Sequence, residues 1–376
     1  MLSFLAMSHD KHFAYANDSR GSHSDSIPIV DFSHLVSGTP DQRAKVLRDL
    51  DKACREWGFF VLVNHGIPES LLKAIIEASL EYFELPEEDK RRYEAKSASD
   101  PIKSGSGSVI NTANHRVHLW RDFVKSYVHP QFHCPEKPHK LRDVLAEFSE
   151  KTRSVARKLL QDIGENLGLE KGYVDEVLKL DSCFQLYAAN YYPPCPQPDQ
   201  AIGLPAHTDH GLLTFLIHNG VAGLQIQHNG EWFNTNSPQN SILVNTADHL
   251  EVNLLTSMHT LCHTQFWRDN LKPLQLWLLP DIKQREVQKR EAQSWVNNEA
   301  TRISVVMANG AAPDAVVEPA GPLVEQDGRA YYHPMKFIEY VETMLSNRLQ
   351  GKSNLDCINP AATGSLNSII TTVLYN

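Results

Sequence analysis

Leu204-Pro205-Ala206-His207-Thr208-Asp209-His210-Gly211-Leu212-Leu213-Thr214 is the stretch on which the fold turns. It sets a histidine and a carboxylate two residues apart at the start of a strand. Side chains two apart on a strand point the same way, so both can reach one ion. One His and one carboxylate are two of the three ligands of the facial triad that holds non-haem Fe(II) and leaves positions open. In a chain with 18 histidines the pair alone is a weak signal.

Upstream lies Asn190-Tyr191-Tyr192-Pro193-Pro194-Cys195. A strand ending in Tyr-Pro-Pro stops pairing and leaves polar side chains near a barrel mouth, or simply packs its aromatic rings on the core. Downstream, Arg302-Ile303-Ser304 repeats the two-residue spacing. A guanidinium and a hydroxyl projecting together suit capture of a carboxylate; the plainer alternative is a surface Arg beside an incidental Ser. The surrounding chain is a series of short β segments: 184–192, 212–217, 223–227, 241–245 and 302–308. Asn229-Gly230 marks a hairpin between two of them. Short strands with frequent turns predict a sandwich or barrel.

The first half reads differently. Residues 1–26 are polar and aperiodic, as in a disordered arm. A strand is expected from Ile27 to Phe32. Thr39, Pro40 and Gln42 give a helix its cap, first residue and capping-box partner. Val46, Leu50, Ala53, Cys54 and Trp57 then share one face, and Gly58 ends the helix. Phe59 to Val63 is a buried strand, followed by helices from about Pro68 to Phe83 and from about His139 to Leu167. Between them Ser104-Gly105-Ser106-Gly107-Ser108 reads as a flexible loop.

Composition narrows the classes further. The 376 residues are 41% hydrophobic and 22% charged, ordinary for a globular chain. No apolar run approaches the roughly 20 residues of a membrane span, and no leader pattern opens the sequence. The net charge of −9 with no Lys/Arg stripe argues against nucleic acid. Six scattered cysteines without a paired spacing read as reduced thiols. The expectation is a cytoplasmic monomer acting on a small molecule, with neither membrane nor nucleic acid as partner.

Together and in this order these stretches resemble the plant-type 2-oxoglutarate- and Fe(II)-dependent dioxygenases. Ile27-Pro28-Ile29-Val30-Asp31, Trp57-Gly58-Phe59-Phe60, Asn64-His65-Gly66, Leu85-Pro86, Trp120-Arg121-Asp122, residues 190–198 and Gly223-Leu224-Gln225 extend the resemblance over most of the chain. Within the family it is similar to small-molecule hydroxylases such as the flavanone, salicylate and tropane-alkaloid oxygenases. The resemblance implies an α+β fold with a double-stranded β-helix (jelly-roll) core and flanking α-helices. It implies a helix-rich region at 27–180, the jelly roll at 181–345 and a tail at 346–376. It also implies that His207 and Asp209 form the catalytic centre and ligate Fe(II). Arg302 and Ser304 would bind the distal carboxylate of 2-oxoglutarate, assisted by Tyr192 and Asn190. The cosubstrates would be 2-oxoglutarate and O₂, with ascorbate in support. The implied reaction hydroxylates or desaturates a small plant specialised metabolite while 2-oxoglutarate is decarboxylated to succinate and CO₂.

The pattern breaks at one place. The family carries a second His roughly ten residues before the Arg of the Arg-x-Ser pair, and here that position is Ala292, in Arg290-Glu291-Ala292-Gln293-Ser294-Trp295. Residues 252–295 match nothing in the family, carry Pro273 and Pro280 where a sheet ladder needs donors, and run from Asp281 to Gln293 as a charged stretch suited to a solvated helix. The segment reads as a replacement for the distal-His strand, as a retained intron would give. Three alternatives stay open for the third ligand: His263, by spacing from Glu251; His259, four residues earlier; or none. A catalytically inactive relative or mis-spliced form is therefore the alternative to an enzyme, and a third reading is an oxygenase that does not use 2-oxoglutarate. The last stretch, Cys357 to Asn376, also departs from the family.

Overall fold

The computed structural model describes residues 26–97, 100–107, 109–111, 116–250, 291–318, 320–327 and 334–341. Residues 1–25 of the N-terminal arm, the tail, His259, His263, Cys262 and Cys357 lie outside the described residues, as do Glu251 and residues 252–290 of the atypical segment.

The strands, in chain order, begin with β1 (Ile29–Asp31), β2 (Phe59–Val63), β3 (Ile102–Gly105), β4 (Val109–Asn111), β5 (Arg116–Leu119), β6 (Asp122–His129), β7 (Phe184–Tyr192), β8 (Ala201–Ile202) and β9 (Leu204–His207). They continue with β10 (Leu213–His218), β11 (Leu224–His228), β12 (Glu231–Asn234), β13 (Ile242–Thr246), β14 (Ala292–Ser294) and β15 (Arg302–Gly310). Two sheets make the barrel. The larger has eight strands in the order β1-β2-β13-β10-β15-β7-β6-β3, and the smaller has four in the order β12-β11-β14-β9. This is the jelly roll, with helices on the outer face of the larger sheet.

Period-two alternation decides what faces the helices and what faces the barrel. Along β15, Ile303, Val305 and Met307 join the main core with Tyr187, Ala189, Phe215 and the helices, while Arg302 and Ser304 take the opposite face. On the inner face Val61 and Leu243 of the larger sheet meet Leu224 of the smaller. Phe59 meets Ile226 in the same way, with Trp57 beside them.

The helices obey their sequence signals. In α1 (Phe32–Ser37) the Asp31 side chain accepts from the Ser33 amide. In α2 (Pro40–Lys52) the Thr39–Gln42 capping box is complete in both directions. A π-helical turn at Ala53–Trp57 comes next, and Gly58, at φ 70°, ends it; that left-handed conformation suits glycine. Then come α3 (Glu69–Phe83), α4 (Glu87–Arg91), α5 (His139–Asn166), α6 (Tyr173–Val177) and the single turn α7 (Asp248–Leu250). Gln185, fully buried on β7, donates to Ser149 O and Asn309 Oδ1 and accepts from Arg153, so a satisfied polar seam joins α5 to β7 and β15. Asn229 and Gly230, at φ 52° and 81°, make the expected β11–β12 hairpin turn.

Three expectations are corrected. Ser104 and Gly105 are not loop residues: they close β3, paired with Val124 and Phe123 of β6, a strand that local pattern does not announce. His207 ends a strand instead of starting one, and Asp209 sits in the turn beyond it. Ala292, Gln293 and Ser294 are strand, not the end of a charged helix. Their sheet neighbours on both sides override the local charge pattern.

Candidate active site

The smaller sheet delivers His207, and the larger one braces the turn beyond it. His207 Nδ1 lies 2.9 Å from the Pro205 carbonyl, to which it donates as the Nδ1–H tautomer. That makes Nε2 the ring nitrogen with a lone pair to offer a cation, and it stands 3.8 Å from Asp209 Oδ1. The other Asp209 oxygen accepts from Asn245 Nδ2 of β13 at 3.0 Å. Burial works against ionisation of this carboxyl, yet His207 and His210 beside it and the Asn245 hydrogen bond hold its pKa below the usual value.

The turn between β9 and β10 is clamped by α7. Asp248 N donates to Asp209 O, His249 N to Gly211 O, Ala247 N to Leu212 O, and Thr208 Oγ1 to Asp248 Oδ2. The carboxylate is thus placed by backbone bonds from the Asp248-His249-Leu250 turn. Sequence reasoning misses Thr208, Asn245 and Asp248 as positioning residues, because their role depends on a pairing about forty residues away.

The second group sits across the same inner face. Arg302 pairs with Tyr192 and Ser304 with Asn190 in the β15–β7 ladder, so the four residues expected together share one face. Arg302 is 1% exposed, and its Nε, Nη1 and Nη2 have no hydrogen-bond partner among the described residues. Its guanidinium carbon stands 5.0 Å from the Tyr192 ring centre, a cation–π approach that is no substitute for a hydrogen bond. Asn190 Oδ1 already accepts from Arg121. His218, opposite Ser304 on β10, is a further member that the sequence does not announce. Burial and the nearby Arg302 charge push its pKa down to about 4, so it stays neutral.

Beside the first group, Asn245 Oδ1 of β13 is also buried without a partner among the described residues. Buried polar groups are normally satisfied, so the unmet guanidinium on the same inner face as Asp209 fits a polar ligand with an anionic end. A 2-oxo diacid has that form. The metal fit is incomplete: among the described residues no group of three His, Cys, Asp or Glu side chains could hold an ion. Position 292 supplies no donor, because Ala292 itself pairs with His207.

The sequence matches the non-haem dioxygenase in morphine synthesis N-terminal family over residues 27–146 and the 2OG-Fe(II) oxygenase superfamily over residues 183–265. The second match runs to residue 265, so the expectation that nothing from residue 252 onward matches the family is corrected for 252–265; it stops short of β14 and β15. Among relatives, the chain is 38% identical over 360 residues to 2-oxoglutarate-dependent dioxygenase 19 of Oryza sativa subsp. japonica, covering 95% of this chain and 97% of that one. It is 31% identical to flavanone 3-dioxygenase 2 of the same organism, covering 88% and 86%. In structure it resembles JOX2 in complex with 2OG, Fe and JA, at TM-score 0.62 and 24% identity over 84% of this chain and 83% of that one. It also resembles a 2OG-Fe(II) oxygenase family protein from Caulobacter crescentus, at TM-score 0.67 and 17% identity over 86% and 99%. With the fold, the buried unpaired arginine and a full-length relative in agreement, the chain belongs to the 2-oxoglutarate- and Fe(II)-dependent oxygenases.

Proposed function

We propose that His207 and Asp209 are the protein donors to Fe(II), that Arg302 with Ser304 seats the distal carboxylate of 2-oxoglutarate, and that Tyr192 and Asn190 shape that seat. The observation that carries this reading is the Arg302 guanidinium, buried and without a hydrogen-bond partner among the described residues. A buried unpaired charge is strongly destabilising, and a carboxylate bound against it removes that cost with charge-assisted hydrogen bonds. The Tyr192 ring, 5.0 Å from the guanidinium carbon, gives it a cation–π neighbour.

The chain's own contribution is binding and placement. Arg302 would fix one end of the cosubstrate, and His207 and Asp209 would hold the cation that its keto acid end meets. Fe(II) supplies the redox chemistry when bound. His218, neutral beside Arg302, adds no competing positive charge.

As an enzyme of this family the protein is a 2-oxoglutarate-dependent dioxygenase of small molecules; similarity along 95% of the chain to 2-oxoglutarate-dependent dioxygenase 19 favours this over an inactive relative. We take its substrate to be a partly apolar specialised metabolite, supported by relatives such as flavanone 3-dioxygenase 2. A cytoplasmic monomer belongs to the same reading. The test is succinate release from 2-oxoglutarate in the presence of Fe(II), ascorbate and a panel of phenolic and alkaloid candidates. Substrate-stimulated succinate formation, lost in Asp209→Ala and Arg302→Ala, is the expected result. Product formation without succinate would overturn the cosubstrate assignment.

A further inference from the structure

The strand at the end of the atypical segment is β14, inserted between β9 and β11. Ala292 is its first residue, paired with His207 on one side and with Ile226 on the other. Directly paired residues project to the same face with Cβ atoms about 5 Å apart. A side chain at 292 therefore stands beside the His207 imidazole on the inner wall. Here it is a methyl group packed against Trp57, Phe59 and Ile226. Its neighbour Gln293 turns the other way and donates to Gln225, and Ser294 pairs with Leu204 across a shift of register, away from His207.

We propose that position 292 is the third coordination position of the metal centre, filled in this chain by a residue that cannot coordinate, so that His207 and Asp209 hold the cation only together with a chelating 2-oxo acid. The inference rests on the assignment of His207 and Asp209 made under Proposed function. Its physical content is a coupling. With His207 and Asp209 as its donors among the described residues the cation is weakly held, and a 2-oxo acid anchored at Arg302 would bring two further oxygens to the same ion. By linkage, cation and 2-oxo acid then raise each other's affinity by one common factor. A third protein donor would tighten cation binding alone and make that coupling a smaller share of the total.

The experiment is a titration of the full chain with Co(II), read by its visible d–d absorption and by calorimetry, with and without 2-oxoglutarate. The variants are Ala292→His, Asp209→Ala and His263→Ala. We expect the wild-type chain to bind Co(II) weakly alone and at least tenfold more tightly with 2-oxoglutarate. Ala292→His should bind it at least tenfold more tightly without 2-oxoglutarate. Should the larger side chain against Trp57 prevent folding, as circular dichroism would show, the shorter Ala292→Asp serves instead and should likewise tighten Co(II) binding without 2-oxoglutarate. Tight Co(II) binding by the wild type with no dependence on 2-oxoglutarate would overturn the proposal, as would a tenfold loss in His263→Ala, since either result places a third donor elsewhere. Unchanged Co(II) binding in Asp209→Ala would instead remove the assignment of the centre itself.

Discussion

The Arg302 guanidinium carbon lies 5.0 Å from the centre of the Tyr192 ring, and among the described residues the same guanidinium has no hydrogen-bond partner at any of its three nitrogens. A charge kept in that state favours a bound anion and disfavours the empty fold. Arg302→Met should separate the two effects. Affinity for 2-oxoglutarate is expected to fall about 100-fold, from loss of charge-assisted bonds worth roughly 1.5–3 kcal/mol. The ligand-free protein is expected to melt higher, because replacing a buried charge with an apolar side chain of similar length is often stabilising by about 1–4 kcal/mol. Calorimetric titration and a thermal melt on one preparation check both. A melt that drops while binding is retained would show the arginine to be structural.

Gly223 controls that arginine from the smaller sheet. A Cβ built there would stand 3.0 Å from Arg302 Cδ and 3.0 Å from the Trp295 carbonyl, and the residue's φ of +147° is strained for any side chain. Gly223→Ala should therefore displace the guanidinium and strain the backbone, with a stability loss of about 1–3 kcal/mol. The KM for 2-oxoglutarate should rise at least tenfold while Co(II) binding in its absence is unchanged. That split distinguishes a displaced anion seat from a general loss of fold.

His249 shows how the acid limb of stability is built in. Its ring is fully buried, stacked 4.9 Å from Phe337, with neither nitrogen hydrogen-bonded among the described residues, and burial pushes its pKa down to about 3. The unfolded chain takes up a proton near the ordinary value of about 6.5, while the folded one does not until about pH 3. Between those values the unfolded state binds more protons, so stability falls as pH falls, by about 1.4 kcal/mol per unit for this group. His249→Phe should flatten the stability curve between pH 6 and pH 4, measured by urea midpoints. Identical slopes in the two proteins would assign the acid limb to other groups.

The pairs that carry chemistry are legible because they are local. The histidine and aspartate two apart, the arginine and serine two apart, and Tyr192 with Asn190 all declare themselves within a few residues, and the β15–β7 ladder sets the last four on one face. Strand β6 is not legible. Asp122 to His129 carries its buried residues in alternation only from Val124 onward, and its place in the sheet comes from β7, some sixty residues later. The direction of the His207 strand is hidden for a related reason: the turn at Asp209 is imposed by α7, through bonds that span about forty residues. Ala292 has the local pattern of a helical charge run, and only its two sheet neighbours make it a strand facing His207.

Asn245 is the positioning residue that sequence spacing could not reveal, and its role is open to direct measurement. Its Nδ2 donates to Asp209 Oδ2 at 3.0 Å, fixing which carboxylate oxygen stays turned toward His207 Nε2. Partners of this kind orient a metal-binding carboxylate, and their loss typically lowers metal affinity about 10- to 100-fold. In Asn245→Ala the β13 backbone ladder to Leu62, Val61, Phe60 and Phe59 of β2 is untouched, so the fold should persist with a loss of about 1 kcal/mol from the missing hydrogen bond. Co(II) affinity in the presence of 2-oxoglutarate is expected to drop at least tenfold, with the d–d spectrum altered in shape because the carboxylate can rotate. Binding of acetate at Arg302, too short to reach Asn245 and measured without metal, should not change. If Co(II) affinity and spectrum both match the wild type, the Asn245 contact holds the sheet together and leaves the carboxylate's orientation to the α7 clamp alone.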